Sequence, residues 1–373
     1  MDYIYLDHAS TTKLDGRVLE KMLPYLKENY GNANSVHGIG RNAVKGLDEA
    51  RGIVADILNA DFNEIYFTSG GTEGDNFALN GFTKKRGEKN KIVISSIEHS
   101  AMLKTASELK GVEVVKIKPN SLGLVNPNDY LESIDENTYL VSLMMANNEV
   151  GSIEPIKEVC YNAHLKGANF FTDAVQAMGA IEIDVKDLGV DMLSFSAHKF
   201  NGPKGVGAVY IKNGAQIGGI ITGGHQEREK RGGTSNVAGA IGLAYALKYN
   251  RETLKKDSEY ITNLRNYFID KVLSLNAKFS LNGDRENRLP NNANILFKGI
   301  NGERLLYKLD IMGVCASLGA ACSAGSIDPS HVLTEMGLTP IDAKSSIRFT
   351  FGKENTYEEV DKVVSIIKNL IEE

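Results

Sequence analysis

The chain has 373 residues, is 42% hydrophobic, contains 37 Gly and 8 Pro, and carries a net charge of −5. That length supports about two domains with a large core, and the mixed charge offers no basic footprint for nucleic acid or an anionic membrane surface. No apolar run reaches bilayer length, and Met1-Asp-Tyr-Ile-Tyr-Leu-Asp7 lacks the basic-then-apolar order of a secretory leader, so neither a nucleic-acid nor a membrane partner is expected. The three cysteines, Cys160, Cys315 and Cys322, form no CxxC pair and no metal-ligand spacing. An odd, sparse cysteine count fits a reducing cytoplasm.

In chain order, a short apolar stretch at Tyr3–Leu6 is followed by a loop at residues 7–12 and a helical pattern over Asp15–Leu26. A polar, glycine-rich loop at residues 30–40 leads into a long amphipathic helix over about Arg41–Leu58. Ile65–Thr68 reads as a buried strand, and Ser69-Gly-Gly-Thr-Glu-Gly-Asp-Asn76 as a turn into a helix over Phe77–Phe82. A strand, a Gly/Ser/Thr turn and a helix can offer backbone N–H groups to a phosphate. The turn matches neither the GKS/T-ended phosphate loop nor GxGxxG, and taken alone it reads sooner as an ordinary β–α turn with a good N-cap.

Further strands are expected at Lys91–Ser95, Val112–Ile117, Tyr139–Met145 and Ala168–Thr172, with a helix from about Ile156 to Gly167 before the last of these. Met192–Phe195 and Ala208–Ile211 then flank Ser196-Ala-His-Lys-Phe-Asn-Gly-Pro-Lys-Gly-Val-Gly207, which reads as a strand, a tight glycine-rich turn and a second strand. Residues 223–236 are polar and glycine-rich. From Val237 to Leu275 the pattern is helical, and the tail alternates short strands and helices at Asn294–Phe297, Glu303–Leu309 and Ser346–Thr350, with a final helix over about Thr356–Ile371. The fold class expected is α/β: a large domain over 14–252 with a mostly parallel sheet covered by helices, and a smaller α+β domain from 1–13 and 253–373. Within the smaller domain, residues 318–325 are rich in Gly, Ala and Ser, and a mobile loop with an exposed Cys322 is expected there.

In sheets of this kind ligands bind at the carboxyl ends of strands. Thr72, His99, Asn148, Asp173, Ser196, His198 and Lys199 all fall at such ends. A lysine held at a strand end is a natural Schiff-base nucleophile. Together with an acid for a pyridine nitrogen and donors for a dianion, the set matches what pyridoxal 5′-phosphate (PLP) requires. Asp173 supplies the acid, Thr72, Ser196 and His198 supply donors, and His99 could lie against the ring.

Eleven segments then resemble one family in its own order along nearly the whole chain. They are Tyr5-Leu-Asp-His-Ala-Ser-Thr-Thr12, Thr68-Ser-Gly-Gly-Thr-Glu73, Glu98-His99, Asn147-Asn-Glu-Val-Gly151, Asp173-Ala-Val-Gln176, Ser194-Phe-Ser-Ala-His-Lys-Phe-Asn-Gly-Pro-Lys-Gly205, Gly223-Gly-His-Gln-Glu-Arg228, Arg231-Gly-Gly-Thr-Ser-Asn236, Leu318-Gly-Ala-Ala-Cys-Ser-Ala-Gly325, Pro329-Ser-His-Val-Leu333 and Ser345-Ser-Ile-Arg-Phe349. The family is the cysteine desulfurases of the iron–sulfur assembly type, class V aminotransferases of PLP fold type I. The resemblance implies an enzyme that converts L-cysteine to L-alanine and passes the sulfur to Cys322 as a persulfide, for iron–sulfur assembly or other thiolation.

It also implies roles. Lys199 would be the PLP lysine and base, Asp173 the partner of the ring nitrogen, Gln176 the donor to the ring hydroxyl, and His99 the stacked histidine. Gly71, Thr72, Ser196 and His198 would bind the cofactor on its phosphate side, with Thr234 reaching from the other subunit of a homodimer. Asn148 and Arg348 would hold the substrate, the arginine taking its carboxylate, and Asn32 matches a substrate-side asparagine. A sulfur-acceptor protein would be the partner. A selenocysteine lyase, an aminotransferase of the same class and a non-catalytic assembly scaffold are the alternatives. The chain departs from the family's usual pattern at Gly74 and Asp75, at Gly31-Asn-Ala-Asn34 and at Ala320, none of which removes a catalytic group.

Overall fold

Runs of β-branched and aromatic residues bounded by polar turns become the strands, and amphipathic segments become the helices that cover them. The computed structural model describes residues 3–318 and 328–372. In chain order the first elements are β1 (Ile4–Tyr5), α1 (Gly16–Lys27), α2 (Gly38–Leu58), β2 (Ile65–Thr68), α3 (Gly71–Thr83), β3 (Lys91–Ser95), α4 (Ser100–Glu108), β4 (Glu113–Ile117), α5 (Pro127–Ser133), β5 (Thr138–Ser142), α6 (Ile156–Leu165), β6 (Asn169–Asp173), α7 (Val185–Leu188), β7 (Met192–Ser196) and β8 (Gly207–Ile211). The remainder are α8 (Val237–Leu275), β9 (Phe279–Asn282), β10 (Asn292–Phe297), α9 (Gly302–Ile311), β11 (Val314–Cys315), α10 (His331–Glu335), α11 (Pro340–Lys344), β12 (Ser346–Thr350) and α12 (Tyr357–Glu372).

The seven-stranded sheet has the order β2-β8-β7-β6-β5-β3-β4. All pairings from β7 to β4 are parallel, whereas β8 runs antiparallel to both β2 and β7. Both faces are dry. Val93, Val141, Phe170 and Leu193 point into a core shared with α2, α6 and the start of α8. Ile92, Ile94, Phe171 and Met192 point the other way, onto Phe77, Ala78 and Phe82 of α3 and Met102 of α4. Burial on two sides explains why these strands read as continuous apolar runs and not as alternating ones.

A three-stranded antiparallel sheet, β12-β10-β9, and the β1-β11 pair build a second core with the far end of α8, α9 and α12. Ile4 and Leu6 lie in this core, and Asp7 bridges to Thr350. The 39-residue α8 serves both cores: Ile241, Leu243 and Leu247 belong to the first, Leu264, Phe268 and Val272 to the second.

Three local expectations need correction. Helix α3 begins at Gly71, six residues before the expected Phe77, because the glycines there are packing residues and not turn residues. A Cβ on Gly71 would lie 2.6 Å from Val175 Cγ2, and one on Gly74 would lie 2.6 Å from Ser194 Cβ. The connection from β7 to β8 is not a tight turn. It opens with a 3₁₀ turn over Ala197–Lys199 and continues through Asn201, whose φ is 62°. The strand expected to reach Met145 ends at Ser142, and the chain beyond it folds back to bridge Ala146 with Ile153.

One edge of the large sheet is β2, and side chains seal it. Phe67 N donates to Glu227 Oε2 at 3.0 Å, and Ile65 O accepts from Arg51 and from Arg228 Nη2. Arg51 also grips Glu227 through both carboxylate oxygens, at 2.8 and 2.9 Å, with each side chain 5% exposed. Glu227, Arg228 and Glu229 are all left-handed, with φ of 44°, 51° and 64°.

Candidate active site

The carboxyl ends of β2, β3, β5, β6 and β7 open onto one cavity. It is lined by Gly71, Thr72, His99, Asn148, Asp173, Gln176, Ser196, His198, Lys199 and Arg348, so ten of the residues expected from sequence meet there. Asn32 and Thr234 do not line it; both are exposed on loops, Asn32 accepting from Asn34 N at 2.9 Å. Cys322 lies outside the described residues, as does the loop expected around it.

Asp173 ends β6, is 5% exposed, and accepts from Val175 N at 2.8 Å. Burial pushes its carboxyl upward, while His99 and Lys199 pull it back toward the charged form. His99 caps α4, its Nδ1 accepting from Ala101 N at 3.2 Å. An Nδ1 that accepts leaves Nε2 to carry the proton of the neutral ring. Lys199 follows β7 on the 3₁₀ turn and donates from Nζ to Ala9 O at 2.5 Å and Ser10 O at 3.0 Å. Gln176 Nε2 reaches the same Ala9 carbonyl at 3.0 Å, so the loop after β1 forms part of the wall.

The other end of the cavity is rich in donors. Ser196 closes β7, and Gly71 and Thr72 form the first turn of α3, where unpaired N–H groups and the helix dipole favour an anion. Gly70, with φ of 153°, turns the chain from β2 into that helix. His198 stands 3.2 Å from Thr11 Oγ1. Burial, with the nearby charges of Lys199 and Lys204, holds its ring down to about 4, so it is neutral at ordinary pH.

Arg348, on β12, comes from the second sheet and is 1% exposed. Its guanidinium donates to Asn148 O at 2.8 Å, to Asp7 Oδ1 at 2.9 Å and to Ser10 Oγ at 2.9 Å. A fork-shaped cation opposite Lys199 suits a carboxylate ligand. A buried acid at the end of β6, a lysine just after β7, a donor-rich end and an arginine suited to a carboxylate fit PLP and an amino acid together.

Sequence reasoning missed several wall residues: Ser10, Asp75, Lys104, Glu149, Asp328 and His331. Ser10, Glu149 and His331 lie inside motifs already singled out, so proximity to those motifs was the available signal. Lys104 sits on a helix, where a charged residue reads as solvated surface, and Asp75 stands out only as a departure in a segment that reads as a turn.

The class-V aminotransferase family model matches residues 4–363. Cysteine desulfurase IscS of Clostridium botulinum is 45% identical over 377 residues, covering 99% of this chain and 94% of its own. That of Methanosarcina thermophila is 42% identical, covering 99% and 92%. Among solved structures, a NifS-like protein superposes with a TM-score of 0.93 at 37% identity over 99% of both chains. SspA in complex with cysteine gives a TM-score of 0.83 at 32% identity, over 94% of this chain and 99% of its own. Families of this kind are generally PLP-dependent, and the architecture is that of PLP fold type I. By sequence over nearly its full length and by fold, the chain belongs to the cysteine desulfurases of the class-V aminotransferase family.

Proposed function

We propose that the protein is a PLP-dependent enzyme that converts L-cysteine and the thiol of Cys322 to L-alanine and a Cys322 persulfide. The observation that carries this reading is the meeting of Lys199, Asp173, the donor-rich end and Arg348 in one cavity. When bound, PLP supplies an electrophilic carbonyl and an electron sink for the substrate's α-carbon. Lys199 would hold it and then take the α-proton at Nζ. Asp173 would keep the ring nitrogen protonated, Gln176 would donate to the ring hydroxyl, and His99 would lie on the ring. Gly71, Thr72, Ser196 and neutral His198 would receive the phosphate. Arg348 would fix the substrate carboxylate, beside Asn148, so that the α-hydrogen faces Lys199.

Cys322 has the remaining role. Its sulfur bonds to the substrate sulfur, the carbon–sulfur electron pair goes to the β-carbon, and a proton there completes alanine. No outside oxidant is needed, because the two electrons that the sulfur gives up on forming the S–S bond stay on the β-carbon, whose C–S bond becomes a C–H bond. The persulfide would then pass to a sulfur-acceptor protein, for iron–sulfur assembly or another thiolation. The cysteine complex of a relative supports the substrate. We propose with it a homodimer in which Thr234 and Asn32 serve the partner's cavity or its rim, a cytoplasmic location, and a division of the chain into 14–252 and 1–13 with 253–373. No described helix is long and apolar enough to cross a membrane.

The test is Cys322→Ser. The variant should still bind PLP and change its absorption on adding cysteine, yet release little alanine or sulfide. Wild type exposed to cysteine without reductant should gain one sulfur on the peptide carrying Cys322. Full turnover by Cys322→Ser, or added sulfur found only on Cys160 or Cys315, would overturn the reading.

A further inference from the structure

Asp75 lines the cavity and has no part in the chemistry above. It lies in the second turn of α3, is 1% exposed, and its Oδ1 accepts from Ser194 Oγ at 3.1 Å. Ser194 is the registered neighbour of Asp173 across β6 and β7. The two side chains therefore leave the sheet side by side. They do so on the face where Phe171 and Met192 pack against α3. Gly74 makes the approach of the helix possible, since any Cβ there would collide with Ser194 Cβ at 2.6 Å and crowd Val209 Cγ1 at 3.2 Å. Two carboxyl groups are thus held on one small, buried patch of sheet, Ser194 being the registered neighbour of one and the hydrogen-bond donor to the other.

Two such groups cannot both be charged there. Their surroundings decide which one is. Asp173 has His99 and Lys199 to stabilise a negative charge. Asp75 has one hydrogen-bond partner among the described residues, the Ser194 hydroxyl, and it faces Asp173 and the fully buried Glu98. The neighbouring acid on α3, Glu73, is taken by Arg231 at 2.9 Å. His198 after β7 and Lys104 on α4 line the same cavity, and neither is hydrogen-bonded to Asp75.

We propose that Asp75 is a positioning acid, the neutral member of a carboxyl pair that keeps the cavity's negative charge on Asp173. The carboxyl pair is a property of the protein alone. Its consequence for catalysis rests on the reading of Asp173 as the partner of the cofactor's ring nitrogen. Burial pushes the Asp75 carboxyl well above the usual range, the charge of Asp173 adds to the push, and Ser194 opposes it. Loss of that proton as pH rises places a second negative charge beside Asp173. Every cation in the cavity then holds its proton more tightly, so the titration of the lysine-linked cofactor broadens.

The experiment uses isotope-edited infrared spectroscopy of protein carrying labelled aspartate, with and without PLP, taking wild type minus Asp75→Asn. A carboxylic-acid carbonyl band is expected at neutral pH in both states. Ser194→Ala removes the donor that favours the charged form, so its band should persist to higher pH than that of wild type. The absorption of bound cofactor should diverge between wild type and Asp75→Asn only where the band is lost. Absence of the band in wild type at neutral pH, its earlier loss in Ser194→Ala, or divergence of the spectra already at neutral pH would overturn the proposal. A wild-type protein that shows the band but takes up no PLP would instead sink the cofactor reading and leave the carboxyl pair standing.

Discussion

Replacing Glu227 by alanine removes the carboxylate that seals the β2 edge. In the folded protein this breaks a two-pronged ion pair whose partners are each 5% exposed, and leaves Phe67 N without its acceptor. Breaking a buried pair by deleting one partner costs roughly 3–5 kcal/mol. Against this stands the backbone: three successive left-handed residues, Glu227, Arg228 and Glu229, each cost roughly 1–2 kcal/mol. The two quantities are comparable, so the pair is about sufficient to hold the turn. Without it the segment should swing out and recover its strain, and the damage should be local. Hydrogen exchange read on the β2 peptide should show the Phe67 amide exchanging about two to three orders of magnitude faster in Glu227→Ala. The global denaturation free energy should fall by only about 1–2 kcal/mol. Conversely, Glu229→Gly relieves strain, and Glu229's ion pair with His225 is exposed at 71% and 93%; that variant should not be destabilised. Protection of Phe67 within about threefold of wild type in Glu227→Ala would refute the claim that this pair holds the turn.

Three further outcomes are expected. Borohydride reduction should fix PLP on the peptide carrying Lys199, and Lys199→Ala should lose both the link and turnover; label on Lys204 would refute the assignment. If Thr234 serves the partner's cavity, mixing Lys199→Ala chains with Thr234→Ala chains should restore activity above either parent, because one of the two cavities then carries neither lesion. No gain after verified exchange of chains would count against it. The third concerns pH: His198 is held down to about 4 in the folded protein against an ordinary 6.5. The unfolded chain therefore binds the extra proton first, and stability of the cofactor-free protein should fall as pH drops from about 6.5 through about 4. His198→Gln should remove about one proton from that slope, and saturating PLP should narrow the window, since a phosphate dianion favours the charged ring. An unchanged slope in His198→Gln would show that another group carries it.

Much of this was legible in the sequence where one physical signal dominated. Ile65–Thr68, Lys91–Ser95 and Ser346–Thr350 have the bounds read for them, because short apolar β-branched runs between polar turns have few other uses. Polar residues placed just beyond such runs gave Thr72, His99, Asn148, Asp173, Ser196, His198 and Lys199 of the cavity wall. Where tertiary packing overrides local preference the reading failed. Glycines that read as a turn sit inside α3 because only they let it touch Val175 and Ser194. β9, with the sequence Phe279-Ser-Leu-Asn282, is too short and too polar to stand out, and it forms because β10 offers it an edge. The reversed direction of β8 agrees with the short glycine-rich connection read before it, whereas the inward turn of Asp75 has no local signature. It follows from which surfaces meet, and a single sequence does not display that.

The long helix α8 also sets an order of assembly. At about 1.5 Å per residue its 39 residues span about 58 Å, from the sheet of one core to the sheet of the other. By the time its first turns emerge from a ribosome, every strand of the larger sheet has been made, and Ile241, Leu243 and Leu247 can close that core at once. The smaller core cannot close so early. It needs Ile4 and Leu6, which precede every strand of the larger sheet, together with β12 and α12, which follow them all. Until Asp7 meets Thr350, the N-terminal strand waits with its apolar side chains exposed. Arg348 sits two residues before that meeting point, so its side of the cavity is completed only when the segment after β1 has met β12. Lys199 and Asp173 can thus stand in a finished sheet before the wall that carries Arg348 is in place.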